Sequence, residues 1–338
     1  MTTHHGEGKK RLKHFLVGSA GVLLGGMFLW LATRNMDRTV VETTLRQADV
    51  AWLIIGVIFY LLSIGLRCLR WGILLRATDD VKWRHAAEAL MTGYAANFVL
   101  PGRIGEVFRA DYAYRVFKMS RFASFGTIIV ERVCDGIALV CALWISVAWI
   151  LYMQFALVVT SWIFAVGAVS SALFGVVVIF IVVSQRVQLR RFGIGDFFAK
   201  RWDLLVGGMS SVLRGNTTAV LSCSIGILVL DTLTLAGIVR CFGVSLLPSQ
   251  NLMLLALASL STLLPTAPGF VGTYQLVFAN VLHMFGYQQT IGIIAATAVQ
   301  IFCFGTVTIV GGFVLLSRSG ITVWRANRSA SPEDHSQR

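Results

Sequence analysis

Four groups of residues in this 338-residue chain could carry chemistry, and each sits inside apolar sequence. The first reads Asn97-Phe98-Val99-Leu100-Pro101-Gly102-Arg103-Ile104-Gly105-Glu106-Val107-Phe108-Arg109. Pro101 lacks a backbone donor and the glycines weaken a helix, so a helix entering this stretch is expected to break. Gly102 and Gly105 let backbone approach closely, and the half-helix that follows aims its N–H groups and dipole at the break, where an anion is favoured. Arg103 adds a planar fork suited to phosphate or carboxylate. Pairing of Arg103 with Glu106, holding the loop shut, is the alternative. The second group, Arg67, Arg70, Trp71 and Arg76, has Arg67 and Arg70 on one helix face. Such residues are ordinary interface anchors, and they can also form a headgroup pocket.

The third group, Glu131-Arg132-Val133-Cys134-Asp135, places two carboxylates at i and i+4 with a cation beside them. Charges inside a bilayer crossing are costly and are expected to pair and face the protein interior. Glu131, Asp135 and Glu106 therefore read as counter-charges to the arginines, or as a proton-coupling set. Asp231 reads as a lone intramembrane carboxylate. The fourth group is a second Leu-Pro…Gly…Gly break that contains Pro265, Pro268, Gly269 and Gly272 and is followed by Tyr274 and Gln275. It carries no charge, so ligand contact there would come from backbone, hydroxyl and amide groups at a helix N-terminus expected to be free.

Other chemistries lack their residues. No Walker loop, G-x-S-x-G or HExxH motif occurs, and no cofactor or metal is expected. The six cysteines lie in or beside apolar segments without close pairing and read as small buried hydrophobes. The longest polar stretch, residues 184–218, is too short for a soluble domain and reads as a basic amphipathic surface stretch on the inner leaflet.

Composition supplies the frame for these groups. Only 13% of residues are charged, roughly half the share of a soluble domain. Residues 136–185 and 241–317 hold no Asp, Glu, Lys or Arg. A crossing takes about 20 apolar residues, so these runs hold several. Crossings are expected near 14–34, 50–75, 122–150, 158–183, 219–241 and 291–317. Segments 86–118 and 250–286, broken in the middle, are expected to be re-entrant pairs of half-helices. The fold class is thus an all-α polytopic membrane protein, with about six transmembrane helices plus two re-entrant broken-helix pairs.

The net charge of +13 does not imply nucleic acid, because the basic residues occupy short loops rather than one face. With both termini cytoplasmic, this layout leaves 24 of the 29 Lys and Arg on the inner side, a strong positive-inside bias. Residues 1–13 and 319–338 read as tails around a single domain, 14–318. Its halves, 14–150 and 158–317, repeat the order crossing, crossing, broken pair, crossing. Three crossings per half make the repeat inverted, a plan in which binding sites lie between the halves.

These residues resemble the flippase-like family named after the transmembrane domain of lysylphosphatidylglycerol synthase. The marks are Leu66-Arg67-Cys68-Leu69-Arg70-Trp71, the LPGRxGE core within Asn97–Arg109, Glu131-Arg132-Val133-Cys134-Asp135, and Pro265-Thr266-Ala267-Pro268-Gly269. The resemblance implies a lipid-handling protein of the inner membrane, partnered by membrane lipids and by a separately encoded lipid-modifying enzyme. It implies no enzyme activity of its own, since the soluble synthase domain of larger members is absent. Where the family usually carries a glutamate after its second glycine break, this chain carries Gln275. The expected function is movement of an anionic or phosphate-bearing lipid of phospholipid, polyprenyl-linked or hopanoid type. The expected headgroup contacts are Arg103, Gly102, Gly105, Asn97, Arg70 and Arg67, with Glu106, Glu131, Arg132, Asp135 and Asp231 as counter-charges. A non-catalytic pathway partner, or a transferase on polyprenyl phosphates with Glu106 or Asp135 as base, are the alternatives.

Overall fold

Long apolar runs fold as helices in a bilayer because only a helix satisfies every backbone group within one segment. Among the described residues of the computed structural model, five helices are long and apolar enough to cross a membrane. The structure describes residues 27, 30, 33–34, 36–76, 81–99, 104–153, 161–185, 196–210, 217–263, 268–314 and 316–317. The chain is an all-α multi-pass membrane protein, and no strand occurs among the described residues.

A short surface helix α1 (Arg38–Arg46) precedes the first described span, α2 (Val50–Arg76). Then come α3 (Trp83–Val99), α4 (Gly105–Phe117) and the long span α5 (Arg121–Tyr152). Span α6 (Ser161–Ser184) and α7 (Asp196–Met209) lead to span α8 (Thr217–Cys241). Helix α9 (Pro248–Ser261), a short turn Pro268–Phe270 and α10 (Thr273–Met284) are followed by span α11 (Gln289–Val314), which contains a π-helical turn at Val299–Phe304. Five of the six expected crossings thus appear close to their expected limits. Apart from four of its residues, the first, 14–34, lies outside the described residues. Both segments expected to break do so, between α3 and α4 and between α9 and α10.

The helices pack reciprocally. Spans α2 and α8 run antiparallel with glycine against glycine: a Cβ on Gly237 would lie 3.0 Å from the Gly56 Cα. Small residues are what bring helices this close in lipid. Helix α9 of the second broken segment packs on α5, while α11 packs on α3, where Gly311 sits on the Met91 carbonyl. Two large apolar cores result among the described residues, beside a small cluster of Ala279 and Ile293. One joins α5, α8, α9, α10 and α11 around Leu143, Leu254, Leu257 and Phe278; the other joins α2, α3, α4 and α5 around Trp71, Leu74 and Leu90.

Two sequence expectations are corrected. Helix α7 does more than lie on a leaflet, because Gly208 packs directly on the Ala123 backbone of α5. Phe198 and Lys200 remain on its exposed face. Among the cysteines only Cys223, Cys241 and Cys303 are buried. Cys68 on α2 and Cys134 on α5 are half-buried, and Cys141 is exposed, since α5 is long enough to present an outer face as well as a packed one.

Candidate functional site

A cavity of about 530 Å³ lies where the two breaks face each other. Its size falls within the ~300–1,000 Å³ of small-molecule sites. All four described spans other than α6 contribute more than one residue to it, and α6 contributes Phe174. Its polar wall is Arg67, Tyr94, Asn97, Glu106, Arg132, Asp135, Ser224 and Asp231. Aromatic rings supply much of the rest: Phe98 stacks on Phe304 at 4.5 Å and meets Phe270 edge-on at 6.1 Å, so rings from both breaks touch.

Behind the polar wall, four arginines and four carboxylates among the described residues form one connected network. Asp231 accepts from Arg67 at 2.5 Å and from the Ser63 hydroxyl at 2.5 Å. Arg67 also lies 3.7 Å from Asp135. Asp135 receives Arg70 in a fork, at 2.5 and 3.0 Å, and Arg70 donates further to Ser224 at 2.9 Å. Glu131, fully buried, gathers Arg109, Arg70 at 3.4 Å and Arg132 at 3.5 Å. Arg109 in turn lies over the Trp71 ring at 3.9 Å, and Trp71 donates to Thr127. Glu106 closes the chain 4.0 Å from Arg132. Helical period explains the local part: Glu131 and Asp135 share a face of α5, as do Arg67 and Arg70 on α2. Antiparallel packing then lays these faces together with that of Asp231. Equal numbers of opposite charges, each with a partner, make burial at this depth tolerable.

The network separates the expected contacts by role. Arg67, Asn97, Glu106, Arg132, Asp135 and Asp231 reach the cavity, whereas Arg70 and Glu131 are sealed behind it. Arg70, expected as a headgroup contact, is fully buried and clamps Asp135 and Glu131 behind the cavity wall. Asp231 is not lone, because Arg67 and Ser63 hold it. Asn97 caps the first break: its Oδ1 accepts from the Gly105 N–H at 2.8 Å, and its Nδ2 donates to Glu106 at 3.4 Å. That donor of α4 is thus already taken. Gly102 and Arg103 lie outside the described residues, as does any pairing of Arg103 with Glu106. Sequence reasoning missed Arg109, which ends the first motif, and Tyr94, Ser63 and Ser224; only the spacing of Arg109, three residues from Glu106 and four from Gly105, hinted at a shared helix face.

The second break is neutral throughout. Gly269 and Gly272 take φ of 69° and 90°, which explains glycine at both. Gln275 is buried; its Oε1 accepts from the Gly272 N–H at 2.8 Å and its Nε2 donates to Gln300 at 2.5 Å. Gln300, in the π-helical turn, donates to the Gly269 carbonyl at 2.9 Å. The Gly272 N–H, at an N-terminus of α10 expected to be free, is therefore taken by a side chain of the helix's own first turn. Tyr274 lines the cavity and Gln275 does not. Pro265 lies outside the described residues, and Pro268 opens the turn before Gly269.

Among the described residues, three atoms at the polar wall find no hydrogen-bond partner: Tyr94 Oη, Glu106 Oε2 and Arg132 Nε. They offer donor and acceptor positions to a bound polar group. No cluster of potential metal ligands occurs among the described residues.

Residues 18–311 match the family model described as the lysylphosphatidylglycerol synthase TM region. Glycosyltransferase AglD of Haloferax volcanii is 26% identical over 334 residues, covering 87% of this chain and 53% of that protein. A UPF0104 membrane protein of Methanothermobacter thermautotrophicus is 33% identical over 98 residues, 28% of this chain and 29% of its own. The chain thus spans about half the length of the first relative and under a third of the second. No solved structure matches.

Proposed function

Because the chain belongs to the lysylphosphatidylglycerol synthase transmembrane-region family, we propose that it moves a phosphate-bearing lipid across the cell membrane. One observation carries this reading: a cavity with a charged wall and an aromatic remainder, set between two broken helices. A lipid headgroup needs the first surface and its hydrocarbon the second. Arg132 and Arg67 are the proposed phosphate contacts, with Tyr94 beside them. Arg103, two residues before α4, is proposed to join them. Glu106 and Asp231 are the carboxylates that release these arginines when phosphate arrives.

The two segments, α3–α4 and α9–α10, are read as re-entrant pairs of an inverted repeat, supported by the reciprocal packing of α9 on α5 and α11 on α3. Cytoplasmic termini follow from the positive-inside count. A glycan-bearing lipid is the favoured cargo class, on the likeness to a protein named as a glycosyltransferase. That likeness also favours a second reading, in which the chain serves or performs a step of glycolipid synthesis, alone or with a separately encoded enzyme.

Native mass spectrometry of the protein purified from its own membrane, beside Arg132→Gln, tests the site. One phosphate-bearing lipid class retained by the wild type and lost in the variant is the expected result. Non-selective retention unchanged by the substitution would sink the headgroup site. A lipid that leaves chemically altered after incubation with purified protein favours the second reading over transport.

A further inference from the structure

On the side of α6 the cavity is lined by one side chain. Phe174 is the cavity's lining residue from α6, a helix whose neighbouring positions Val169, Leu173, Val176 and Ile179 are exposed on its outer side. Its ring rests on Gly136 of α5, so closely that a Cβ there would fall 1.9 Å from Phe174 Cε1. Gly136 is thus a seat with no side chain of its own. Helix α6 is pinned on either side of this point. Toward its start, the Trp144 ring covers Gly167, and Trp144 donates to Ser171 at 3.0 Å, near buried Ile163. Toward its end, Phe180 meets Trp202 of α7 edge-on at 6.1 Å and Ser184 is buried. Between these anchors no polar contact of Phe174 holds the ring, and an aromatic side chain turns about two torsions without moving the helix.

A cavity of this volume is smaller than a two-chain lipid, so hydrocarbon attached to a bound headgroup has to leave it sideways. We propose that the Gly136 seat is the subsite and exit for a lipid hydrocarbon chain, with the Phe174 ring occupying the chain's place when no lipid is bound. The chain passes between α5 and α6, beside Leu139, and its inner part meets Leu235 and Leu255. Both leucines line the cavity yet are only 3% and 5% exposed, so bulk lipid does not reach them. This rests on the lipid-binding reading above and adds the route of the chain to it.

The experiment reconstitutes the full chain in phosphatidylethanolamine–phosphatidylglycerol vesicles containing phosphatidylglycerol with a diazirine in mid-chain. After irradiation, adducts are mapped by peptide mass spectrometry in wild type, Phe174→Ala and Phe174→Leu. Adducts are expected on Leu235 and Leu255 in the wild type. They should rise several-fold in Phe174→Ala and return toward wild type in Phe174→Leu, while adducts on exposed Val169 and Val176 stay constant. Absence of adducts on the two leucines in every variant overturns the subsite, as does a yield indifferent to residue 174. Transbilayer movement of the same lipid is scored separately. Adducts without movement leave the chain route standing and remove transport, and movement without adducts does the reverse.

Discussion

The two breaks occupy equivalent places in the chain and are held by opposite chemistry. At the first, Asn97 caps Gly105 and touches Glu106, which opens into a network of four arginines and four carboxylates. At the second, two glutamines do the comparable work: Gln275 caps Gly272, and Gln300 ties Gln275 to the Gly269 carbonyl. A neutral amide relay fixes geometry and offers a ligand little. A charged network also fixes geometry, but partners at its cavity edge can be exchanged for a ligand's. On the proposed function, the comparison assigns anchoring to the second break and ligand exchange to the first.

Breaking the core of the charged side should have the largest effect. Glu131→Gln leaves Arg109 and Arg70 short of a counter-charge in a fully buried position. Removing one partner of such a pair costs about 3–5 kcal/mol, to be read from thermal unfolding in detergent. A loss under about 1 kcal/mol would mean that the network tolerates uncompensated charge, against the reason for its balance. Next comes the edge of the network. Arg67→Gln and Asp231→Asn should each cost about 1.5–3 kcal/mol, the range of hydrogen bonds to charged groups. The double variant should lose much less than the sum, because each single change strands the other charge. Strict additivity would show that Arg67 and Asp231 do not act as a pair.

The neutral break should respond more gently. Gln300→Met keeps side-chain length but orphans the Gly269 carbonyl and leaves the Gln275 Nε2 only the Thr297 hydroxyl at 3.4 Å, for a loss of about 1–2 kcal/mol. If lipid selectivity also changed while Arg132→Gln left it intact, the assignment of ligand exchange to the first break would be reversed.

What was legible in the sequence follows the same division. Proline and glycine act within a few residues, so both breaks were visible as Pro101-Gly102 and Pro268-Gly269. Helical period put Glu131 with Asp135 and Arg67 with Arg70, and apolar length gave the spans. Partnerships between helices were not visible. Asp231 reads as solitary because Arg67 stands 164 residues away, and only antiparallel α2–α8 packing brings them together. Gln300 carries no charge or motif, and its role arises from a π-helical turn that periodicity does not announce. Gly136 reads as one more glycine in a span until the Phe174 ring is found on it.

The smallest expected effect concerns a carboxylate that belongs to neither break. Asp37 is fully exposed and caps α1, accepting from the Thr39 hydroxyl at 2.6 Å and the Thr39 N–H at 2.9 Å. The Thr39 hydroxyl, and then its N–H, hold the Asp37 carboxyl below its ordinary value. A carboxyl lowered by folding stabilises the folded state above its unfolded pKa, and that contribution disappears as pH falls through the lower folded value. Hydrogen exchange of the α1 amides, corrected for intrinsic rates, should therefore be slow near neutral pH and quicken below about pH 4, the ordinary carboxylate range. Asp37→Ala should show the fast exchange already at neutral pH, whereas Asp37→Asn, which can still accept at the cap, should remain slow at both. Amides of α10 should not follow, because what holds the second break is an amide pair with no proton to gain in this range. Parallel acceleration of α1 and α10 would mean that the neutral break senses a charge at the membrane surface, through the Asp37 N–H that reaches Thr290 at the start of α11.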